Sequence, residues 1–217
     1  MDRSASNTSV ALFGGTFNPV HFGHLKIAEE MAELLQVSQM RMVPCAMPPH
    51  RKEPMVSAKQ RLAMLTLALG DQSLLIADDL ELNRAGPSYT IDTLKLVRQE
   101  IGQSVPLFLC LGMDVLSSLN TWHCWQDLLD YCHIAVSPRP GWPVPDQGEI
   151  KSWVSCHRSD DIAQIKKMAN GYIYFCDLMM LELSSTAIRD TIKRGENISS
   201  MTPYGVVDYI KTNHLYE

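Results

Sequence analysis

Two glycines and two histidines lie close together in the segment G-G-T-F-N-P-V-H-F-G-H, which runs from Gly14 to His24. The glycines allow a ligand to approach the backbone closely. His21 and His24 are three residues apart, so on the first turn of a helix both imidazoles point to the same side. The start of such a helix also presents unpaired N–H groups and a positive dipole end to an anion. These residues indicate a phosphate site, although a Gly-rich turn with two capped or exposed histidines fits the same pattern.

A second segment with residues suited to an anion is L-S-S-T-A-I-R, from Leu183 to Arg189. Ser184, Ser185 and Thr186 stand where a helix is predicted to begin, and such hydroxyl side chains are favoured there because they accept hydrogen bonds from free N–H groups. Arg189 follows within the first turns and carries a permanent positive charge. An ordinary capped helix with a solvated Arg189 fits the same residues. In combination with the first segment, the pattern favours a second phosphate contact at this helix start.

The elements that position these residues are short apolar runs that alternate with amphipathic segments. This alternation is typical of parallel strands joined by helical crossovers. We predict a doubly wound parallel α/β sheet with helices on both faces, which binds its ligands at the carboxyl ends of the strands. The predicted strands cover residues 10–13, 40–43, 74–77, 107–111, 134–136 and 172–175. The predicted helices begin near residue 22 and after residue 184, and cover 58–69, 89–101 and 203–211.

The length of the chain, 217 residues, suits one domain. We expect residues 1–8 to be a disordered extension and residues 9–217 to form a single domain, because neither a linker nor a repeat interrupts the pattern. Residues 138–148 are rich in Pro and Gly and are predicted to form a long surface loop.

Charge and hydropathy exclude two classes of partner. Lys and Arg number 19 against 24 Asp and Glu, so the net charge of −5 provides no overall basic field for nucleic acid. The longest nearly unbroken apolar run, residues 105–113, is shorter than the roughly 20 residues that a membrane-spanning helix needs. Residues 1–9 are polar and lack the apolar core of a secretory signal. We therefore expect a cytoplasmic protein that binds neither nucleic acid nor a membrane.

The six cysteines include no pair two to four residues apart, which argues against a structural zinc site. We expect reduced thiols that lie mostly in the core. The cluster His123, Cys124, Cys132 and His133 leaves a zinc site open as the alternative.

Neither the dinucleotide motif G-x-G-x-x-G at its usual place nor the P-loop motif occurs, which removes the main support for hydride transfer and for P-loop chemistry. The 14–24 segment resembles the opening of the nucleotidylyltransferases, which share H-x-G-H with class I aminoacyl-tRNA synthetases. Five further blocks in order resemble bacterial nicotinate-nucleotide adenylyltransferases, and together they cover about residues 9–216. They are P-P-H-R-K (48–52), D-L-E-L-N-R-A-G-P-S-Y-T (79–90), L-G-M-D (111–114), T-W-H-C-W (121–125) and L-S-S-T-A-I-R (183–189).

The resemblance implies the Rossmann-like nucleotidylyltransferase fold and transfer of AMP from ATP to nicotinate mononucleotide, which forms deamido-NAD and pyrophosphate. Such a reaction is an in-line displacement at the α-phosphorus by a phosphate oxygen that is already ionised at pH 7, so no general base is needed. Catalysis then depends on positioning and on cations that stabilise the developing charge. Mg²⁺ bound mainly through the ATP phosphates and water is expected, without a dedicated protein metal site. The oligomeric state stays open, a homo-oligomer included.

The resemblance also implies a role for each residue in the matching blocks. His24 is expected to contact the α- and β-phosphates with the help of His21, and Arg189 to hold the β- and γ-phosphates. The residues implied in ATP binding are Gly14, Gly15, Thr16, Phe17, Gly112, Asp114, Ser184, Ser185 and Thr186. The residues implied in binding the pyridine nucleotide are Lys52, Thr90, Trp122, His123 and Arg139.

Several of these residues have simpler explanations. Asn18 stands where the family commonly has Asp, so we interpret it as a turn-shaping group and not as a metal ligand. Asp114 suits either a ribose or metal-proximal contact or a helix N-cap. Arg51 and Lys52 follow two prolines and suit either a phosphate contact or an exposed loop position. Arg139 suits either a contact with the nucleotide or a surface position that serves solubility alone.

The two tryptophans of the T-W-H-C-W block are three residues apart, and this spacing predicts that they share a helix face. We expect one indole to lie in the core. The other, Trp122, offers a flat face for a pyridinium ring, while the backbone N–H groups around Thr90 and His123 are expected to bind its carboxylate.

Two other functions remain open at this stage. A superfamily relative that attaches AMP to phosphopantetheine, or CMP to choline phosphate or glycerol phosphate, would use the same first segment but lacks the G-P-S-Y-T and T-W-x-x-W blocks. A sensor that binds ATP or NAD without turnover is the alternative from another class.

Overall fold

The computed structural model describes residues 9–46, 56–84, 86, 88–179 and 181–217, which form a sheet of six parallel strands. The strand order is β3-β2-β1-β4-β5-β6. The strands are Val10–Gly15 (β1), Gln39–Pro44 (β2), Leu75–Ala77 (β3), Leu107–Gly112 (β4), His133–Ser137 (β5) and Ile173–Phe175 (β6). The predicted doubly wound parallel sheet is confirmed, and each predicted strand lies within two residues of the observed bounds.

The described residues form eight α-helices, and five of them match the predicted helices within about one residue. They are Phe22–Leu35 (α1), Ala58–Leu69 (α2), Thr90–Ile101 (α3), Met113–Leu116 (α4), Gly148–His157 (α5), Ile162–Ile165 (α6), Ser185–Lys193 (α7) and Tyr204–Thr212 (α8). The sequence did not predict α4, α5, α6 or the 3₁₀ turns at Leu119–Thr121 and Trp125–Asp130. The helix α5 buries only Ile150 and Val154, so its apolar periodicity is weak.

Alternate residues of β1 face two separate cores, one on each side of the sheet. Ala11 and Phe13 pack in the core beneath α1, α2 and α8, whereas Val10 and Leu12 pack in the core beneath α3 and α5. Helices therefore cover both faces, as predicted. Each fully buried aliphatic side chain stabilises the fold by roughly 1.5–3 kcal/mol. The residues that α1 buries at the predicted spacing are Leu25, Ala28, Met31, Ala32 and Leu35.

The strand order reverses between β1 and β4, because the chain leaves β1 toward β2 on one side and β4 toward β5 on the other. At such a switch point the two crossovers lie on opposite faces and open a crevice at the carboxyl ends of the strands. Gly14 and Gly15 end β1 there, and Gly112 ends β4. This crevice is where the chemistry-bearing segments meet.

Cys110, Cys132 and Cys176 are buried, whereas the other three cysteines are partly or fully exposed. The expectation that most of them lie in the core was therefore wrong, because half occupy loops or helix surfaces. Residues 1–8 and the pair Arg51 and Lys52 lie outside the described residues. We propose that residues 9–217 form one domain, since one sheet takes strands from both halves of the chain and α8 packs on α2.

Within the described ranges, no helix is both long enough and apolar enough to cross a membrane.

Candidate active site

His21 and His24 form a stacked pair at the start of α1. His21 is the N-cap residue, and its Nδ1 accepts a hydrogen bond of 3.3 Å from the backbone N–H of His24. The two ring centroids are 3.6 Å apart and the planes differ by 23°. A Cβ at Gly23 would lie 3.0 Å from Nδ1 of His21, so glycine leaves the room that the ring needs. Because Nδ1 is an acceptor, a neutral His21 carries its proton on Nε2 and presents that N–H as a donor.

Burial makes both imidazoles neutral at pH 7. Desolvation and the nearby positive charge of Arg139 lower the pKa of His21 to about 4. Desolvation, with smaller effects of His21 and Arg139, lowers the pKa of His24 well below its usual value. In the ligand-free protein the histidines are therefore neutral N–H donors. The Nδ1 atom of His24 is buried without a hydrogen-bond partner among the described residues.

The loop between β1 and α1 is shaped by Phe17. Its backbone is left-handed, with a φ of 46°, and its buried ring packs edge-on against His24 at 5.1 Å. A Cβ at Gly15 would lie 2.8 Å from this ring, so only glycine fits there. Gly14 is exposed at the end of the strand and faces open space. The Phe17 ring therefore packs beneath Gly15 on the core side of the loop. Because this ring is buried, only the backbone of Phe17 can contact a ligand.

The start of α7 is attached to this loop by Arg189. Its Nη1 donates a hydrogen bond of 2.7 Å to the carbonyl oxygen of Asn18, and its Nη2 donates to Oγ1 of Thr186 at 3.1 Å. Arg189 is half-buried, so the interpretation as a solvated surface residue was wrong. The Thr186 hydroxyl accepts from Arg189 and keeps its own proton for a ligand.

The two serines at this helix start have different roles. Ser184 is the N-cap, and its Oγ accepts from the N–H of Ala187 at 3.1 Å. Ser185 donates its hydroxyl proton to the carbonyl of Pro19 at 2.9 Å. The predicted cap is confirmed at Ser184, while the N–H groups of the first turn, including those of Ser185 and Thr186, have no acceptor within the helix. The helix start thus presents backbone donors and a partial positive charge beside the histidines.

Asp114 and Arg139 form an ion pair that joins the ends of β4 and β5. Nη1 of Arg139 lies 3.1 Å from Oδ2 of Asp114. The other oxygen, Oδ1, is buried and has no hydrogen-bond partner among the described residues. It would lie 2.6 Å from a Cβ at Gly112, so glycine is required there. Gly112 is itself the N-cap of α4, so the alternative of Asp114 as a cap was wrong.

His123 lies beside the start of α3, where Thr90 is the first helical residue. The rings of Tyr89 and His123 are 4.6 Å apart, and Tyr89 is the N-cap of α3. Thr90 is the first residue of that helix, so its N–H and that of Ile91 have no intrahelical acceptor. Backbone donors and an exposed imidazole therefore lie side by side.

Trp122 and Trp125 do not share a helix face, so that prediction was wrong. Trp122 ends one 3₁₀ turn in an extended conformation, and Cys124 is left-handed with a φ of 51° before the next turn begins. Both indoles are partly buried, so neither lies wholly in the core. Trp125 packs edge-on against Trp153 at 5.1 Å, while Trp122, the neighbour of His123 in sequence, packs at the edge of the core beneath α3 and α5.

His133 has no ring nitrogen to offer a metal. Its Nδ1 accepts from the N–H of Tyr172 at 3.2 Å, and its Nε2 lies 3.0 Å from the carbonyl of Met168. Among the described residues no group of three or more His, Cys, Asp or Glu is arranged to hold a metal ion.

The sequence reasoning missed the residues that support the β1–α1 loop from outside. Arg61 is buried, and it donates to the carbonyl oxygens of Thr16 at 2.7 Å and of Cys45 at 2.6 Å. One signal was present, because Arg61 lies three and four residues before Met64 and Leu65 on the apolar face of α2. Tyr216 and Thr202, which also contact the loop, carry no local signal.

Comparison with known proteins adds to this geometry. A family model described as cytidylyltransferase-like matches residues 12–201. The chain is 41% identical to a "Probable nicotinate-nucleotide adenylyltransferase" of Serratia proteamaculans (strain 568), over 100% of both chains. It is 39% identical to a protein of the same description from Aeromonas hydrophila, over 95% of this chain and 96% of that one.

Solved structures share the fold. A Plasmodium falciparum nicotinic acid mononucleotide adenylyltransferase complexed with NaAD matches with a TM-score of 0.72 at 17% identity, and covers 96% of this chain and 97% of its own. A second Plasmodium falciparum structure of that description, complexed with APC, matches with a TM-score of 0.70 at 18% identity, over 96% of this chain and 97% of its own.

Proposed function

This chain belongs to the cytidylyltransferase-like family, and within that family we propose how its site transfers AMP from ATP to nicotinate mononucleotide. The reaction yields deamido-NAD and pyrophosphate, and the chain is a nucleotidyltransferase of NAD biosynthesis. The observation that carries the proposal for the site is the stacked pair His21 and His24 beside the start of α7. These groups form one cradle of N–H donors at the sheet's switch point.

We propose that this cradle holds the triphosphate. His24 donates to an oxygen of the α-phosphate and His21 assists through Nε2, while Arg189 and the first turn of α7 bind the β- and γ-phosphates. Fixed donors of this kind stabilise charge as the α–β bond breaks and pyrophosphate leaves. The attacking phosphate oxygen is already ionised, so the lowered pKa of the histidines suits donors and not bases.

The same proposal includes Mg²⁺ bound mainly by the ATP phosphates and water. Asp114 is the carboxylate that fits near it, because Oδ1 is buried and unpaired and magnesium prefers oxygen ligands. Arg139 holds the other oxygen and fixes the carboxylate in place. When bound, the ion would neutralise charge on the leaving pyrophosphate.

For the acceptor nucleotide we propose a subsite between Thr90 and Trp122. A nicotinate carboxylate presents only acceptors, and backbone N–H groups cannot reverse into acceptors as an Asn or Gln side chain does. A carboxamide in the same place leaves a buried group unpaired, at a cost of roughly 1–3 kcal/mol. This difference favours nicotinate over nicotinamide.

The function is tested by pyrophosphate release from ATP and Mg²⁺ with each candidate acceptor. We expect release with nicotinate mononucleotide and background rates with phosphopantetheine or with no acceptor. Equal or greater turnover with phosphopantetheine would overturn the assignment. ATP binding without release in any mixture would instead support a sensor.

Trp122→Ala is expected to raise the KM for nicotinate mononucleotide by about 2- to 30-fold, the range of a lost cation–π contact with the pyridinium ring. The KM for ATP should stay within about threefold, because the change touches one substrate only. Thr90→Ala should matter less, since its backbone N–H survives.

Steady-state kinetics with both nucleotides makes this measurement. Trp125→Ala is the matched control, because that indole packs on Trp153 and not at the proposed subsite. An unchanged pyridine-nucleotide KM in Trp122→Ala would assign that residue to packing alone.

A further inference from the structure

Four side chains from α2, from α7 and from the turn before α8 hold the backbone of the β1–α1 loop. Its carbonyl oxygens at residues 16, 18, 19 and 20 each accept a hydrogen bond from outside the loop. The donors are Arg61 to Thr16, Arg189 to Asn18, Ser185 to Pro19, and Thr202 to Val20. The loop carries the stacked histidines, so these contacts set where the imidazoles stand.

One further contact reaches a side chain of the loop. The hydroxyl of Tyr216 donates a hydrogen bond of 2.6 Å to Oδ1 of Asn18, which is 198 residues away in sequence. The same Asn18 accepts Arg189 on its backbone carbonyl at 2.7 Å. Asn18 therefore links Tyr216 to the guanidinium that faces the proposed phosphate site.

The surroundings of Tyr216 hold its ring in place. It is 3% exposed and packs in the same core as Phe17. The backbone φ of Tyr216 is 69°, and that of His214, two residues earlier, is 48°. Left-handed backbone is uncommon for residues other than glycine and persists where surrounding contacts determine it.

The tyrosine stays protonated throughout the working pH range. Burial raises the pKa of its hydroxyl strongly, against the opposing effect of Arg189 and Arg61. The hydroxyl is therefore always available as the donor to Asn18.

We propose that Tyr216 is a positioning residue for AMP transfer, which orients Arg189 and the histidine loop toward the triphosphate through Asn18. This inference rests on the proposed function. It differs from a purely structural role, because the hydrogen bond acts on a residue whose backbone carbonyl also accepts from Arg189. Loss of the hydroxyl should then weaken the ATP side of the site and leave the pyridine side unchanged.

Tyr216→Phe keeps the ring and removes only the donor. We expect kcat/KM for ATP to fall about tenfold, which is the upper end of the scale for one hydrogen bond between neutral groups and less than the 10²-fold cost of a 1 Å misplacement. The KM for nicotinate mononucleotide should stay within about twofold. Tyr204→Phe is the matched control, because Tyr204 is 81% exposed.

A double-mutant cycle separates the hydrogen bond from other effects of the hydroxyl. In Asn18→Ala the acceptor is gone, so adding Tyr216→Phe should cost less than about twofold more. In Asn18→Asp an oxygen acceptor remains, so adding Tyr216→Phe should again cost several-fold. Equal losses in both backgrounds, or a Tyr216→Phe enzyme within twofold of wild type, would overturn the inference.

Calorimetric titration with ATP, in the absence of acceptor, gives a readout independent of turnover. We expect Tyr216→Phe to weaken ATP binding about tenfold, and unchanged binding would overturn the inference even if pyrophosphate assays failed. Wild-type protein inactive with nicotinate mononucleotide would count against the proposed function alone. Thermal unfolding establishes whether Tyr216→Phe folds. If it does not, Asn18→Ala decides the question, because it is expected to show the same loss of about tenfold in ATP binding.

Discussion

His24→Ala is expected to lower kcat by about 10²–10³-fold, because it removes one preorganised donor aimed at the transferring phosphate. The stack on His21 and the edge contact with the Phe17 ring place this imidazole in a fixed position before substrate arrives. Since the lowered pKa makes His24 neutral, we expect its contribution to come from an N–H group and not from a full charge.

Single-turnover and steady-state kinetics with saturating substrates test this expectation. His24→Asn keeps a neutral N–H donor and should lose less than His24→Ala. His157→Ala is the control, because that ring contacts the backbone of Trp153 at the end of α5 and lies outside the proposed site. A His24→Ala enzyme that retains more than about a tenth of the wild-type kcat would remove His24 from the catalytic residues.

Arg189→Ala is expected to lower kcat/KM for ATP by about 10²–10³-fold, and Arg189→Lys should recover little of it. The guanidinium donates to Asn18 through one nitrogen and to Thr186 through another while facing the helix start. A lysine ammonium is a single point of charge, so it does not reproduce this planar set of donors together with a phosphate contact.

The measurement is kcat/KM for ATP at fixed nicotinate mononucleotide, with thermal unfolding of each variant to establish that it folds. Arg194→Ala is a matched control at the C-cap of the same helix, since its guanidinium pairs with Glu196 at the surface. Wild-type-like kinetics in Arg189→Lys would mean that a point charge suffices, and the requirement for a planar set of donors would be withdrawn.

Local pattern was enough to predict the scaffold. Apolar spacing predicted six strands and five helices, because burial on one face of a helix or strand repeats within a few residues. It failed for α5, whose two buried residues, Ile150 and Val154, make too weak a stripe. It also failed at Trp122 and Trp125, where a left-handed Cys124 interrupts the expected helix, and nothing in residue spacing indicates that conformation.

For the candidate site, too, the sequence indicated individual residues but not the contacts between them. The sequence placed His21, His24 and Arg189 in segments predicted to bind phosphate, and it indicated Asp114 and Arg139 separately. It did not indicate that Asp114 and Arg139 pair, because they follow different strands and meet only when β4 and β5 lie side by side.

By itself, the sequence determined the parallel sheet, the order of its segments and the residue types at the carboxyl ends of its strands, since these depend on neighbours a few positions away. Only the tertiary structure decided that the histidines are neutral and that Tyr216 reaches Asn18. Protonation depends on how much water packing removes from an imidazole, and a contact across 198 residues depends on where α8 ends against α2. Neither quantity exists until the chain is folded.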